Sequence, residues 1–105
     1  MERISMKDLN ERLEHLGNDE IVLDVRTPEE YAEGHVPGSR NLNHDQVGSI
    51  AEELKQYKRV YIHCRSGARA QVAYGALLQK GLTNLVCIAD GGIMDWLSAG
   101  YPVEK

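Results

Sequence analysis

Aromatic residues and cysteines are scarce in this chain. Among its 105 residues there is no phenylalanine and only one tryptophan, so the core must rest on aliphatic side chains and tyrosine. Two cysteines are too few for the disulfide framework of a small secreted scaffold. No hydrophobic run approaches the ~20 residues of a membrane-spanning helix, and residues 1–5 lack the apolar centre of a signal peptide. We therefore expect a cytoplasmic protein whose cysteines are thiols.

Positive charge is also in the minority, with 12 Lys and Arg residues against 16 Asp and Glu residues and a net charge of −4. This balance provides no basic surface for nucleic acid and disfavours binding to anionic membranes. The histidines and cysteines have no spacing typical of a zinc motif. The length suits one domain over residues 1–105. We expect a monomer without nucleic-acid, membrane or metal partners.

Strand-like and helix-period segments alternate along the chain. Runs rich in β-branched residues predict strands, and capping residues followed by apolar positions at helical spacing predict helices. The predicted strands cover residues 21–25, 39–42, 60–63 and 85–88, and the predicted helices cover residues 6–16, 28–33, 47–54, 70–80 and 93–99. Two helix starts have the pattern of a capping box, Ser5 with Asp8 and Thr27 with Glu30. This alternation is typical of an α/β fold with a mainly parallel sheet.

Chemically distinctive residues follow three of the predicted strands. They are residues 24–26, 64–69 and 90–92. Because ligands bind at the carboxyl ends of parallel strands, we expect these segments to meet at one edge of the sheet.

The segment from Cys64 to Arg69 has the pattern of an anion-binding loop, since a cysteine ends a strand and a short loop leads into a helix. Loop N–H groups and a helix N-terminus attract negative charge, and Gly67 permits a backbone conformation that other residues resist. With Arg65 and Arg69 nearby, this loop predicts a Cys64 thiolate, open to solvent and nucleophilic at neutral pH. A buried structural cysteine is the alternative.

Two neighbouring features are better explained by structure than by catalysis. Cys87 lies between Val86 and Ile88 without local charge, which predicts a small core residue rather than a disulfide partner. His63 precedes Cys64 on a strand, so their side chains should point to opposite faces of the sheet. We expect a structural histidine, not a Cys-His couple.

The chain resembles a rhodanese domain in four stretches that together span most of it. They are residues 23–31 (LDVRTPEEY), 34–41 (GHVPGSRN), 64–69 (CRSGAR) and 90–92 (DGG), the last followed by Trp96. The resemblance implies a five-stranded parallel sheet flanked by helices on both faces, with Cys64 as the catalytic residue. It also implies an active-site loop that binds anions, formed by Arg65, Ser66, Gly67, Ala68 and Arg69.

The resemblance further implies roles for the other matched residues. Asp24 and Arg26 would brace the loop from below, and the turn at residues 34–41 would be architectural. Gly91 and Gly92 would let the backbone pass close to the active-site loop, and Trp96 would belong to the core.

The expected reaction is a double displacement without metal or organic cofactor. The Cys64 thiolate takes the outer sulfur of thiosulfate or a related donor, and the resulting persulfide passes it to cyanide, a small thiol or a protein thiol. Loop N–H groups with Arg65 and Arg69 would stabilise the negative charge. The alternatives are a sulfur carrier or regulatory module with little activity on free thiosulfate, and a phosphatase or arsenate reductase. The phosphatase loop that resembles residues 64–69 has five residues between its cysteine and its arginine, whereas this chain has four.

Overall fold

The structure is a computed structural model that describes residues 2–105. Its elements alternate along the chain much as the sequence predicts. In chain order they are β1 (Glu2–Arg3), α1 (Met6–Leu13), β2 (Glu20–Asp24), α2 (Pro28–Glu33), β3 (Arg40–Asn41), a 3-10 helix (Val47–Ile50), α3 (Ala51–Leu54), β4 (Arg59–His63), α4 (Ala68–Gln79), β5 (Leu85–Cys87) and α5 (Ile93–Ser98).

The strands form one sheet in the order β1-β5-β4-β2-β3, and every pairing is parallel. Buried side chains of α1 and α5 pack on one face of this sheet. Those of the 3-10 helix, α3 and α4 pack on the other. This arrangement confirms the predicted α/β domain with a five-stranded parallel sheet and helices on both faces.

Alternate residues of the central strand β4 enter two separate cores. Val60 and Ile62 pack on the face covered by α4, whereas Tyr61 packs on the face covered by α1 and α5. This is the two-residue period expected of a strand buried on both sides. Cys64 continues the series of Val60 and Ile62 and belongs to the same core, so its side chain lies on the α4 face.

Both predicted capping boxes are present. The side chains of Ser5 and Asp8 close the start of α1, and those of Thr27 and Glu30 close the start of α2. A short polar capping side chain satisfies backbone N–H groups that the first helical turn leaves without partners. The sequence therefore located both helix starts correctly.

Two elements differ most from the prediction, and the helix predicted over residues 47–54 is divided into the 3-10 helix and α3. Helix α1 ends at Leu13 rather than near Gly17, because His15 and Leu16 donate to carbonyl groups three residues back and tighten the chain into turns. Strand β1 was not predicted, since its two residues are exposed and polar. It exists because it pairs with β5 at the sheet edge.

Trp96 belongs to the core, as the resemblance implied. It is fully buried, its indole N–H donates to the carbonyl of Pro102, and Tyr101 packs edge-on against it. The chain after α5 is thereby attached to the domain. Within residues 2–105, none of the helices combines the length and apolarity needed to cross a membrane.

Candidate active site

The loops after β2, β4 and β5 meet at one edge of the sheet, as predicted. The N–H of Ile93 donates to the carbonyl of Cys64 over 2.9 Å, which joins the loop after β5 to the loop after β4. A Cβ atom on Gly92 would overlap the carbonyl groups of Cys64 and Arg65. The expected close backbone approach at Gly92 is therefore present, and it requires glycine.

The sulfur of Cys64 occupies the position of a helix cap. Helix α4 has no side-chain cap from its own N-cap residue, Gly67. Instead, Sγ of Cys64 accepts the N–H of Gly67 at 3.1 Å and that of Ala70 at 3.3 Å. These are donors of the first helical turn, which carry partial positive charge. The helix start thus presents its N–H groups to the one atom expected to carry negative charge.

Gly67 allows this arrangement for two separate reasons. Its φ of 118° lies in the region that residues with a Cβ rarely adopt. A Cβ at this position would also overlap the carbonyl group of Ala89. The loop can therefore turn its N–H groups toward Cys64 only with glycine at this position.

Cys64 is only 1% exposed, so the expectation of a sulfur open to solvent is wrong for this conformation. The loop residues that face solvent are Arg65, Ser66 and Ala68. The core packs on the cysteine because it continues the buried positions of β4.

A cleft of about 270 Å³ lies beside the Cys64 loop. Its lining comprises Arg26, Glu30, Glu33, Gly34, Arg65, Ile93, Met94 and Leu97. It combines residues after β2 with residues after β4 and β5. Two of its members, Met94 and Leu97, are apolar and about half exposed, at 46% and 49%.

Asp24 and Arg26 form a buried ion pair, of which Arg26 also lines the cleft. The carboxylate accepts from Nε of Arg26 at 3.0 Å and from Nη2 at 2.8 Å, and Nη2 also donates to the carbonyl of Gly34 at 2.8 Å. The pair therefore joins the end of β2 to the end of α2. It reaches the Cys64 loop only through His63, whose Nε2 lies 3.9 Å from Asp24. Any brace it provides to that loop is indirect.

His63 is completely buried on the sheet face opposite the Cys64 side chain. Burial lowers its pKa, and the negative charge of Asp24 only partly opposes that shift, so the ring is neutral. Its Nδ1 lies 3.4 Å from the carbonyl oxygen of Cys64. The ring thus lies near the backbone of Cys64 and away from its sulfur, which agrees with a structural histidine.

Arg69 is held by Glu30, for which the sequence predicts only the role of a helix cap. Its Nη1 and Nη2 donate to the two carboxylate oxygens of Glu30 at 2.6 and 3.0 Å. Glu30 also accepts from the N–H and hydroxyl of Thr27, both at 3.1 Å. The hydrogen bond from Arg69, with smaller help from Thr27, lowers the pKa of Glu30 to about 2. The same bond raises the pKa of Arg69.

Arg65 differs from Arg69 because its side chain is exposed and lines the cleft. Within residues 2–105 it forms no ion pair. Of the two loop arginines predicted to hold a donor's negative charge, Arg65 has no carboxylate partner within residues 2–105, whereas Arg69 is paired with Glu30. Arg69 already neutralises a carboxylate.

Cys87 is fully buried in the same core as Cys64, and neither cysteine forms a disulfide within the described chain. Burial raises the pKa of the Cys87 thiol. The prediction of a small core residue is confirmed. Residues 2–105 also contain no cluster of three or more side chains suited to hold a metal ion.

These observations define a class: an α/β protein with a cysteine at the N-terminus of a helix, in a loop of backbone donors. The sequence of residues 5–99 matches the rhodanese-like domain. The chain belongs to that family, whose relatives include sulfurtransferases.

Three relatives illustrate the family. A sulfurtransferase of Allochromatium vinosum is 33% identical over 95% of this chain and 92% of its own length. The thiosulfate sulfurtransferase GlpE of Pseudomonas entomophila is 32% identical over 80% of this chain and 75% of its own. YrkF of Bacillus subtilis, named as a sulfur carrier, is 33% identical over 71% of this chain, which spans 40% of that protein.

Proposed function

We propose that this protein transfers sulfane sulfur through a persulfide on Cys64. The observation that carries the proposal is the pair of N–H groups from Gly67 and Ala70 that point at Sγ. Two such donors at a helix N-terminus stabilise negative charge on a sulfur atom. A structural cysteine in a core does not need them.

In the first half-reaction the Cys64 thiolate attacks the outer sulfur of thiosulfate or a related donor. A bond forms between Sγ and that sulfur as the donor's own bond to it breaks, and sulfite departs with the electron pair. In the second half-reaction an acceptor attacks the outer sulfur of the persulfide, and the pair returns to Sγ. The acceptor is cyanide, a small thiol or a protein thiol, and neither a metal nor an organic cofactor takes part.

The loop contributes positioning and charge to these steps. Gly67 holds the loop N–H groups toward Sγ, so these groups need not move when negative charge develops on the sulfur. Arg65, which lines the cleft, is the unpaired guanidinium that would attract an anionic donor. Asp24 and Arg26 act only as structural support. We expect a cytoplasmic monomer with no nucleic-acid or membrane partner.

A sulfur carrier or regulatory module with little activity on free thiosulfate is the second candidate. It is favoured by the pairing of Arg69 with Glu30, which leaves one loop cation for a doubly charged donor. The name of YrkF is in line with such a role. A phosphatase or arsenate reductase is the weakest candidate, because its oxyanion would need an arginine that Glu30 already holds.

Mass spectrometry of the intact protein tests the proposal. After incubation with thiosulfate, the protein should gain the mass of one sulfur atom and lose it to cyanide. The Cys64→Ser variant should gain nothing, and the Cys87→Ser variant should behave like the parent. Sulfur loading in Cys64→Ser would contradict the assignment. Phosphate-ester hydrolysis without any sulfur loading would favour the phosphatase.

A further inference from the structure

We propose that Glu30 selects the sulfur donor: by neutralising Arg69, it makes the site favour alkyl persulfides over the thiosulfate dianion. This inference rests on the proposed sulfur transfer at Cys64 and specifies its donor. Glu30 touches neither the sulfur nor a substrate in this structure, and it acts through the charge of Arg69.

The contact between Glu30 and Arg69 is well fixed. Nη1 of Arg69 donates to one carboxylate oxygen of Glu30 at 2.6 Å, and Nη2 donates to the other at 3.0 Å. This is the two-bond geometry that arginine and carboxylate prefer. Thr27 holds the carboxylate from its other side. The pair is about three-quarters buried, with side chains 28% and 26% exposed, so solvent screens it only in part.

The charges around the cleft cancel. Arg26 and Arg65 line it together with Glu30 and Glu33, two cations against two anions. Behind them, Asp24 neutralises Arg26 as Glu30 neutralises Arg69. A donor with two negative charges therefore finds no matching excess of positive charge. An alkyl persulfide carries at most one negative charge, so its binding depends less on such an excess.

The apolar part of the cleft fits the other end of such a donor. Met94 and Leu97, three residues apart on α5, expose about half of their side chains there. An alkyl group gains by covering such surface, whereas the sulfonate end of thiosulfate does not. An alkyl persulfide bound in this cleft would place its alkyl group against Met94 and Leu97 and its sulfur toward Arg65, the residue that directly follows Cys64.

The transfer step balances without any further reagent. The Cys64 thiolate attacks the outer sulfur of RSSH, the new S–S bond forms as the old one breaks, and the thiolate RS⁻ leaves. The proton stays on the transferred sulfur. The net charge is unchanged, because Cys64 carries one negative charge before the step and the leaving thiolate RS⁻ carries it afterwards.

The test compares Glu30→Gln with the parent protein for two donors, thiosulfate and the persulfide of 2-mercaptoethanol. Glutamine preserves the capping box and still accepts a bond from Arg69, but it removes the charge. The measured quantity is the second-order rate at which Cys64 gains sulfur. Glu30→Gln should raise the thiosulfate rate roughly fivefold relative to the persulfide rate, because one unpaired cation attracts a dianion more than a donor with at most one negative charge. Added salt should reduce that gain.

Glu29→Gln is the matched control. Glu29 is the neighbouring residue on α2, is exposed, and forms no ion pair within residues 2–105. Its variant changes the net charge by the same amount and should leave the donor ratio unchanged. In an Arg69→Gln background, Glu30→Gln should no longer change the ratio either, because the charge through which it acts is gone.

Three outcomes would overturn the inference. Equal changes of both rates in Glu30→Gln would mean that Glu30 only supports the fold. An equal response to Glu29→Gln would mean that the general field, not the release of Arg69, controls donor choice. A parent protein that already prefers thiosulfate would contradict the selectivity itself. Failure of both donors to load sulfur on Cys64 would instead refute the proposed function, which keeps the two failures distinct.

Discussion

The ends of strands β4 and β5 each place a cysteine in the same core, yet only one of them has a site built around it. Cys64 is 1% exposed and Cys87 is fully buried, so burial does not separate them. The two cysteines differ in the hydrogen-bond donors that surround the sulfur. Sγ of Cys64 accepts two N–H groups at the start of α4, whereas no such donor reaches the Cys87 sulfur within residues 2–105, and burial is the main influence that raises the pKa of Cys87. Reactivity at a buried cysteine depends on what surrounds the sulfur, not on how deep it lies.

Among the expected effects, the largest is the difference in sulfur-transfer rate between removing the sulfur of Cys64 and removing that of Cys87. Cys64→Ser should abolish steady-state sulfur transfer to cyanide, because a serine hydroxyl is not ionised at neutral pH and cannot form a persulfide. Cys87→Ser should retain nearly the full rate. An inactive Cys87→Ser protein that still melts at the parent temperature would show that the second cysteine takes part in the chemistry.

The N–H donors can be displaced without changing either cysteine. Gly67→Ala should destabilise the domain by about 2–4 kcal/mol and abolish sulfur loading, because alanine resists a φ of 118° and its Cβ would overlap the Ala89 carbonyl. Urea unfolding and intact-protein mass measure the two effects.

Gly75→Ala is the matched control for that substitution. Gly75 lies within α4 with open space around the position of a Cβ. Alanine there should stabilise the protein by up to about 1 kcal/mol and leave loading intact. If Gly67→Ala loaded sulfur normally, the N–H groups of the loop would not be what makes Cys64 reactive.

The core around Cys87 should discriminate between apolar and polar replacements. Cys87→Ala should cost about 1 kcal/mol through lost packing, whereas Cys87→Ser should cost about 1–3 kcal/mol because its hydroxyl is buried in an apolar core. Urea unfolding of both variants checks this order. A serine variant as stable as the alanine variant would point to an unrecognised polar partner at this position.

The smallest expected effect is the part of the alkaline pH dependence of stability that comes from Cys87. Its folded-state pKa is raised above the value of 9.0 for an ordinary thiol, so the folded state keeps its proton when the unfolded state loses one. Stability should be complete below about pH 8 and should decline as pH rises above about 9. Cys87→Ala should remove this part of the decline. An unchanged alkaline slope in that variant would assign the effect to other groups.

Much of the site could be predicted from short stretches of sequence. Two four-residue patterns located the starts of α1 and α2, and the cysteine-containing loop after a strand placed the start of α4 within two residues of Ala68. Such signals are local, because a capping side chain reaches only the first turn of its own helix. Strand β1 and the early end of α1 carried no comparable signal. Pairing with β5 and turn-forming hydrogen bonds decide them.

The sequence by itself determined the α/β alternation, the edge where the loops meet, and the opposite orientations of His63 and Cys64. These follow from the periods of strands and helices, which are fixed by backbone geometry. Only the tertiary structure decided that Cys64 is enclosed and that Glu30 pairs with Arg69. The two residues of that pair lie 39 positions apart, on elements that meet only when the sheet has formed. A local pattern identifies a charged residue, but its partner depends on packing.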